Sequence, residues 1–231
     1  MSKERLALIS VSEKKGIVPF AAALVSRGFK ILASGGTAKV LKDALIQVMD
    51  VAELPCLRAE KKFRDAGLEA KFRVAGITIE EVAKLLSSGE MLNHRVVTLI
   101  PEMYAGLLAM FNAEHEAEME KMGLPYIDLA CVDFYPLQKE ISKPESTPSS
   151  VLEATDIGGP SMVRAAAKGR RIVVCDPNDR SSVLDWLAKG EPDREEFITS
   201  LAAKAEFVVS QYCIASAIYW GKGNYSGEVI L

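Results

Sequence analysis

Apolar and polar positions along this chain change period several times, and each change marks an element. Residues Arg5–Ser10 form a short alternating apolar run, the pattern of a strand. Ile17, Phe20, Ala21, Leu24 and Val25 then recur at helical spacing, which predicts a helix over 15–27 with Gly28 at its end. A second strand is read over 30–33, a turn at Ser34-Gly35-Gly36-Thr37, a helix over 38–44 and a strand over 46–51. Strands alternating with helices imply an α/β chain whose parallel sheet is covered on both faces.

Downstream the pattern is less regular. A charged helix is read over 59–73, followed by another with Thr78 as N-cap and Glu80 and Glu81 in its first turn. Residues 102–122 read as helical with a Met/Leu face packed into the core. YIDLACVDF, residues 126–134, is the most hydrophobic strand candidate and is expected to be central. A Pro/Ser-rich loop covers 142–149. Asp156-Ile157-Gly158-Gly159-Pro160 then opens a helix, with Pro160 suited to its first turn. A strand over 171–175, a helix holding Trp186 capped by Asn178 or Asp179, and a long helix over about 192–220 complete the reading. With no repeat and no linker, the expectation is one domain over 1–231, with a C-terminal helical region at 192–231.

Composition narrows the function classes. The 231 residues carry 28 Lys+Arg and 31 Asp+Glu, a formal charge of −3, so no overall basic field awaits nucleic acid. No uninterrupted apolar stretch approaches the roughly 18 residues of a membrane span, and the first apolar run stops at Ile9, short of a signal peptide. Cys56, Cys131, Cys175 and Cys213 are scattered, as expected of reduced thiols in a cytoplasmic protein. His94 and His115 are the only histidines, too few for a histidine-based zinc site.

Four stretches could carry chemistry. Ser10-Val11-Ser12-Glu13-Lys14 leaves the carboxyl end of the first strand before a helix, a place suited to an anion. Ser34-Gly35-Gly36-Thr37 repeats that geometry: its glycines let backbone N–H groups approach a phosphate, and its hydroxyls add donors. Adjacent parallel strands would present both loops at one edge. Arg95 could clamp a phosphate or carboxylate with two hydrogen bonds. Asp156 introduces a helix on which Arg164 and Lys168 share a face, and burial could tune such a carboxylate–lysine set for acid/base work. Each stretch also has a plainer reading: a helix cap, a glycine turn, a surface arginine, a structural ion pair.

Taken together, LISVSEKKGIV, ILASGGTAKVLKDA, MLNHRVVTL, DFYP and DIGGPSMVRAAAKG resemble, in the same order, the inosine monophosphate (IMP) cyclohydrolase family. The resemblance covers about 1–54 and 91–190. It implies a methylglyoxal-synthase-like three-layer fold with a mainly parallel sheet flanked by helices, a homodimer, and no metal or organic cofactor. The implied reaction closes the ring of formyl-AICAR (FAICAR) with loss of water to give IMP, so the partner is a purine ribonucleotide and a separate AICAR transformylase would act upstream. Position by position, the resemblance puts Ser12, Glu13, Lys14, Ser34, Gly35, Gly36, Thr37, Arg95, Thr98, Val132, Asp133, Ile157 and Gly158 on the nucleotide, with the 5′-phosphate at the glycine loop. Tyr135 falls near the carboxamide, and Asp156 and Lys168 divide the proton traffic.

This chain also departs from the family. Where the family carries Arg-Val-Lys-Thr-Leu-His-Pro, Val97 replaces the lysine and Ile100 the histidine. Asp133 stands in place of an asparagine, and the His-Thr-Ala pattern near Tyr212 is missing. An insert at about 55–90 carries Lys61, Lys62, Arg64, Lys71 and Arg73 and is expected either to cover the pocket and return a cation to it, or to be a solvated surface helix. A nucleotide-binding module that lost catalysis with Val97, and a lyase for a small phosphorylated ketone, stand as alternative functions.

Overall fold

Strand β1 (Arg5–Ser10) lies at the middle of a five-stranded parallel sheet in the computed structural model, which describes residues 4–86 and 97–224. The strand order is β3-β2-β1-β4-β5, with β2 at Phe29–Ala33, β3 at Val48–Asp50, β4 at Leu129–Val132 and β5 at Ile172–Val174. The buried stretches of β1, β2, β4 and β5 are apolar on both faces because both are covered. Ala7 and Ile9 meet α1 (Ile17–Val25), α2 (Gly35–Asp43) and α11 (Asp179–Ala188). Leu6 and Leu8 meet α6 (Pro101–Leu108), α10 (Gly158–Lys168) and α12 (Arg194–Trp220). The same alternation runs through β4, where Leu129 and Cys131 face one way and Ala130 and Val132 the other. This is the expected three-layer fold, except that β1 and not β4 holds the centre.

The order of strands decides where a ligand fits. The chain runs outward from β1 through β2 to β3, then returns to the other side of β1 for β4 and β5. The loops leaving β1 and β4 therefore diverge, and a crevice opens beyond their carboxyl ends, the usual ligand position in such sheets.

Several elements differ from the sequence expectation. The glycine loop is not a turn before a helix but the first turn of α2, with Ser34 in the N-cap position and Gly35 at φ +40°, a conformation that favours glycine. The 59–73 segment is two helices, α3 (Leu54–Asp65) and α4 (Glu69–Val74), broken at Gly67 with φ +66°. The 102–122 segment is likewise α6 and α7 (Ala113–Met122), because Asn112 caps α7 by accepting the His115 N–H at 2.8 Å. Met103 and Met119 are buried as expected, while Met110 in the break is exposed. The Pro/Ser-rich loop ends in a short helix, α9 (Pro148–Ala154), which follows α8 (Leu137–Ile141). The capping of α5 (Ile79–Leu86) follows the sequence: Thr78 accepts from the Glu81 N–H and Glu81 accepts from the Thr78 N–H.

By length and composition α12 could cross a membrane. Here it buries Ala202, Ala205 and Val209 in the core with β5 and α10, Ile198 and Leu201 in the cluster with α1 and α11, and Tyr212 beside Leu137 and Val151 of α8 and α9.

Candidate active site

The loops leaving β1, β2 and β4 meet the start of α10 around a cavity of about 630 Å³. Ser12 and Lys14, all of Ser34–Thr37, Thr98, Asp133, Tyr135 and Asp156–Gly159 line it. Segments separated by more than a hundred residues of sequence are thus brought together. Its size falls in the range of small-molecule sites.

Hydrogen bonds tie the loops to one another. The Ser10 and Ser34 hydroxyls are 2.8 Å apart. Thr37 is almost fully buried, its hydroxyl donating to the Val11 carbonyl at 3.1 Å and accepting the Val11 N–H at 3.2 Å. The Lys14 ammonium donates to the Val11 carbonyl and, at 3.2 Å, to the Thr37 hydroxyl. Thr37 therefore joins two loops rather than offering a free donor, which corrects the expected role of its side chain. The Thr37 N–H is taken too, donating to the Ser34 carbonyl at 2.9 Å, so at the first turn of α2 it is the Gly35 and Gly36 N–H groups that the helix geometry leaves for an anion. Burial lowers the Lys14 pKa from its usual value, and the nearby Asp133 and Glu13 carboxylates oppose that shift.

Asp156 stands just ahead of α10 and caps it, its carboxylate accepting the Gly159 N–H at 3.0 Å. Burial pushes this carboxyl above the usual carboxylate range; the N–H groups of Gly159, Tyr135 and Gly158 hold it down, and Asp133 adds to the rise. Glycines are needed beside it. A Cβ on Gly159 would lie 2.7 Å from an Asp156 carboxylate oxygen and 2.9 Å from the Phe134 ring, and one on Gly158 would collide with the Thr98 hydroxyl.

Thr155, Asp156 and Ile157 also line a second cavity, about 730 Å³, between α6, α10 and α12. Arg164 and Lys168 stand on its wall with Tyr104, Tyr212 and Cys213. Asp156, Arg164 and Lys168 do share one cleft, but Lys168 is not among the residues around the glycine loop. Arg164 pairs with Glu206 at 3.0 Å.

Other expected site residues are placed differently. Glu13 is exposed and accepts the Lys15 N–H at 3.1 Å. Val132 buries its side chain in the core, leaving only backbone for a ligand. Arg95 lies outside the described residues. Val97 lines the glycine-loop cavity, so an apolar side chain occupies the family's lysine position, while Ile100 packs against the core.

The basic residues of the insert line neither cavity. Lys61 pairs with Asp65 at 2.6 Å and Arg64 with Glu60 and Glu80, so the surface-helix expectation describes them and the lid expectation does not.

Sequence reasoning missed Tyr212, whose hydroxyl accepts the Asp156 N–H at 2.6 Å. Its place on the buried stripe of α12 was a core signal, and nothing local announced a polar contact.

Comparison with known proteins fits this geometry. The MGS-like domain family matches residues 16–56, which hold α1, β2 and the glycine loop. The bifunctional purine biosynthesis protein PurH of Lysinibacillus sphaericus (strain C3-41) is 37% identical over 201 residues, 86% of this chain. The chain is similar to PurH, and its fold is methylglyoxal-synthase-like. It spans 34% of the length of that relative. The crystal structure of ForH superposes with a TM-score of 0.72 at 29% identity, covering 96% of this chain and 99% of that one.

Proposed function

We propose that this chain is an IMP cyclohydrolase, closing FAICAR to IMP with loss of water. The observation that carries the reading is the single cavity in which Lys14, the Ser34–Thr37 turn, Tyr135 and Asp156 come together. The 5′-phosphate sits at the first turn of α2 beside Lys14, and the base points toward Asp156.

In this reading the carboxamide nitrogen attacks the formyl carbon; as the C–N bond forms, the C=O π pair moves to oxygen, and the proton lost by the nitrogen passes through Asp156 to that oxygen, giving the carbinolamine. The C–O bond then breaks while the former formamide nitrogen gives up its proton to form the ring C=N bond, and Asp156 relays that proton to the departing hydroxyl, which leaves as water. A carboxyl raised by burial is suited to both transfers, because it holds and releases a proton nearer neutral pH. Lys168, on the wall that shares Asp156, exchanges protons with solvent through the second cavity. Holding both ends of one molecule in place supplies much of the rate. The reaction as written needs no cofactor. The same reading makes the protein a cytoplasmic homodimer whose substrate is supplied by an AICAR transformylase activity.

The test mixes FAICAR with purified protein and follows IMP by absorbance and chromatography, with Asp156→Asn and Lys168→Ala alongside. Turnover abolished in both variants supports the reading. No turnover by the wild-type chain overturns it. A second reading, a purine-nucleotide-binding module without catalysis, is favoured by Val97 on the cavity wall, because losing a cation aimed at developing negative charge costs on the order of 3 kcal/mol of barrier. It predicts IMP binding with no turnover.

A further inference from the structure

We propose that Asp133 and Arg180 form a buried clamp that fixes the Ser12–Lys15 loop and thereby aims Lys14 at the glycine loop. The proposal rests on the reading above, in that it takes a phosphate to be seated there.

The clamp grips the loop at two points three residues apart. One Asp133 carboxylate oxygen accepts the Ser12 N–H. Arg180, near the start of α11, donates from Nη1 to the Lys15 carbonyl at 2.9 Å. The second Asp133 oxygen makes no hydrogen bond and lies 3.9 Å from Nη2 of Arg180. Glu13 and Lys14 are thus bracketed between the two anchors. A third contact, from the Ser12 hydroxyl to the Phe134 carbonyl at 2.9 Å, binds the loop to the segment that carries Asp133.

The pair is set in an apolar floor. The side chains of Arg180 and Asp133 are 9% and 14% exposed. The Arg180 guanidinium lies 6.0 Å from the centre of the Phe20 ring. Beneath it the buried Cys131 thiol stays neutral, its pKa pushed up to about 12. Taking two charges out of water costs free energy that their mutual attraction only partly returns, so such a pair is a poor device for stability alone. An asparagine at 133 would still accept the Ser12 N–H, through a weaker, neutral hydrogen bond. What the carboxylate adds is charge, and that charge faces Arg180 on one side and Lys14 on the other. Arg180 touches neither cavity, so its influence on a ligand runs through the loop.

The test compares wild type with Asp133→Asn, Arg180→Met and Arg180→Lys by calorimetry against IMP, inosine and inorganic phosphate. Hydrogen exchange over residues 11–16 is measured without ligand on the same proteins. Asp133→Asn and Arg180→Met are expected to weaken IMP and phosphate about tenfold while inosine changes less than about twofold, with Arg180→Lys recovering part of the loss. Exchange in the loop is expected to accelerate in both variants while the sheet stays protected. Equal weakening of IMP and inosine would reduce the pair to a general structural role and overturn the proposal. Unchanged phosphate affinity would overturn it too. Should the wild-type chain bind neither IMP nor phosphate, the phosphate reading fails by itself, and loop exchange decides the clamp: unchanged exchange in both variants refutes it.

Discussion

The backbone N–H of Asp156 donates to the hydroxyl of Tyr212 at 2.6 Å, across 56 residues of sequence. The Tyr212 ring meets Phe134 edge to face, with centroids 5.2 Å apart, so one α12 side chain steadies both the Asp156 segment and the loop after β4. Tyr212→Phe keeps the ring and removes the acceptor. We expect a stability loss of about 1 kcal/mol by chemical denaturation and a fall of about tenfold in kcat with KM little changed. An unaltered kcat would show that Asp156 is held without this contact.

Asp156→Asn separates stability from activity. Between the ordinary carboxyl pKa of 3.8 and its raised value in the fold, the native state holds more protons than the unfolded chain, so Asp156 makes stability fall as pH rises. The penalty is complete above that window and absent below it. Asparagine never ionises and can still accept the Gly159 N–H. The variant should melt higher than wild type at pH 7, melt alike near pH 3.5, and lose turnover. Calorimetric scans across that range check the sign.

The glycines flanking Asp156 should not be interchangeable with those of the α2 turn. Gly159→Ala forces a methyl into the Asp156 carboxylate and the Phe134 ring and should lower both the melting temperature and IMP affinity, the latter about tenfold or more. Gly36→Ala places its methyl in open space and should keep the melting temperature within a degree or two. Thermal scans with and without IMP separate the two effects.

Thiol chemistry should sort the cysteines by burial. Burial pushes Cys131 up to about 12 and Cys175 up to about 11, leaving almost no thiolate on either at pH 8. Cys213 is exposed on α12 beside Tyr212. Iodoacetamide at pH 8 should label Cys213 in the native protein, and Cys131 and Cys175 only after denaturation, as read by mass spectrometry.

Much of the fold was legible because strand and helix periods are local. Arg5–Ser10 emerged with its bounds intact, and the reciprocal Thr78–Glu81 cap was announced by two side chains three residues apart. The helix breaks at Gly67 and at 109–112 were obscured by helix-favouring residues on both sides. The glycine loop was legible as a break between strand and helix but not as a helical turn, because Gly35 pays no steric penalty at positive φ. What no local pattern could give was partnership. Thr37 reads as a free hydroxyl until Val11 is folded against it, and neither Arg180 nor Tyr212 carries a local sign of the Lys15 carbonyl or the Asp156 N–H that it meets.

The route of the chain through the sheet has a consequence for biogenesis. The cavity-lining loops after β1 and β2 belong to the first forty residues, yet the wall opposite them begins near residue 152 and is held by α12. A nascent chain that has emerged only through β3 carries those loops without a binding site. Forming one requires closure over more than a hundred residues, the kind of distant pairing that slows folding. Nucleotide added during refolding should therefore leave the early, local steps unassisted and act only on species in which α12 has already docked.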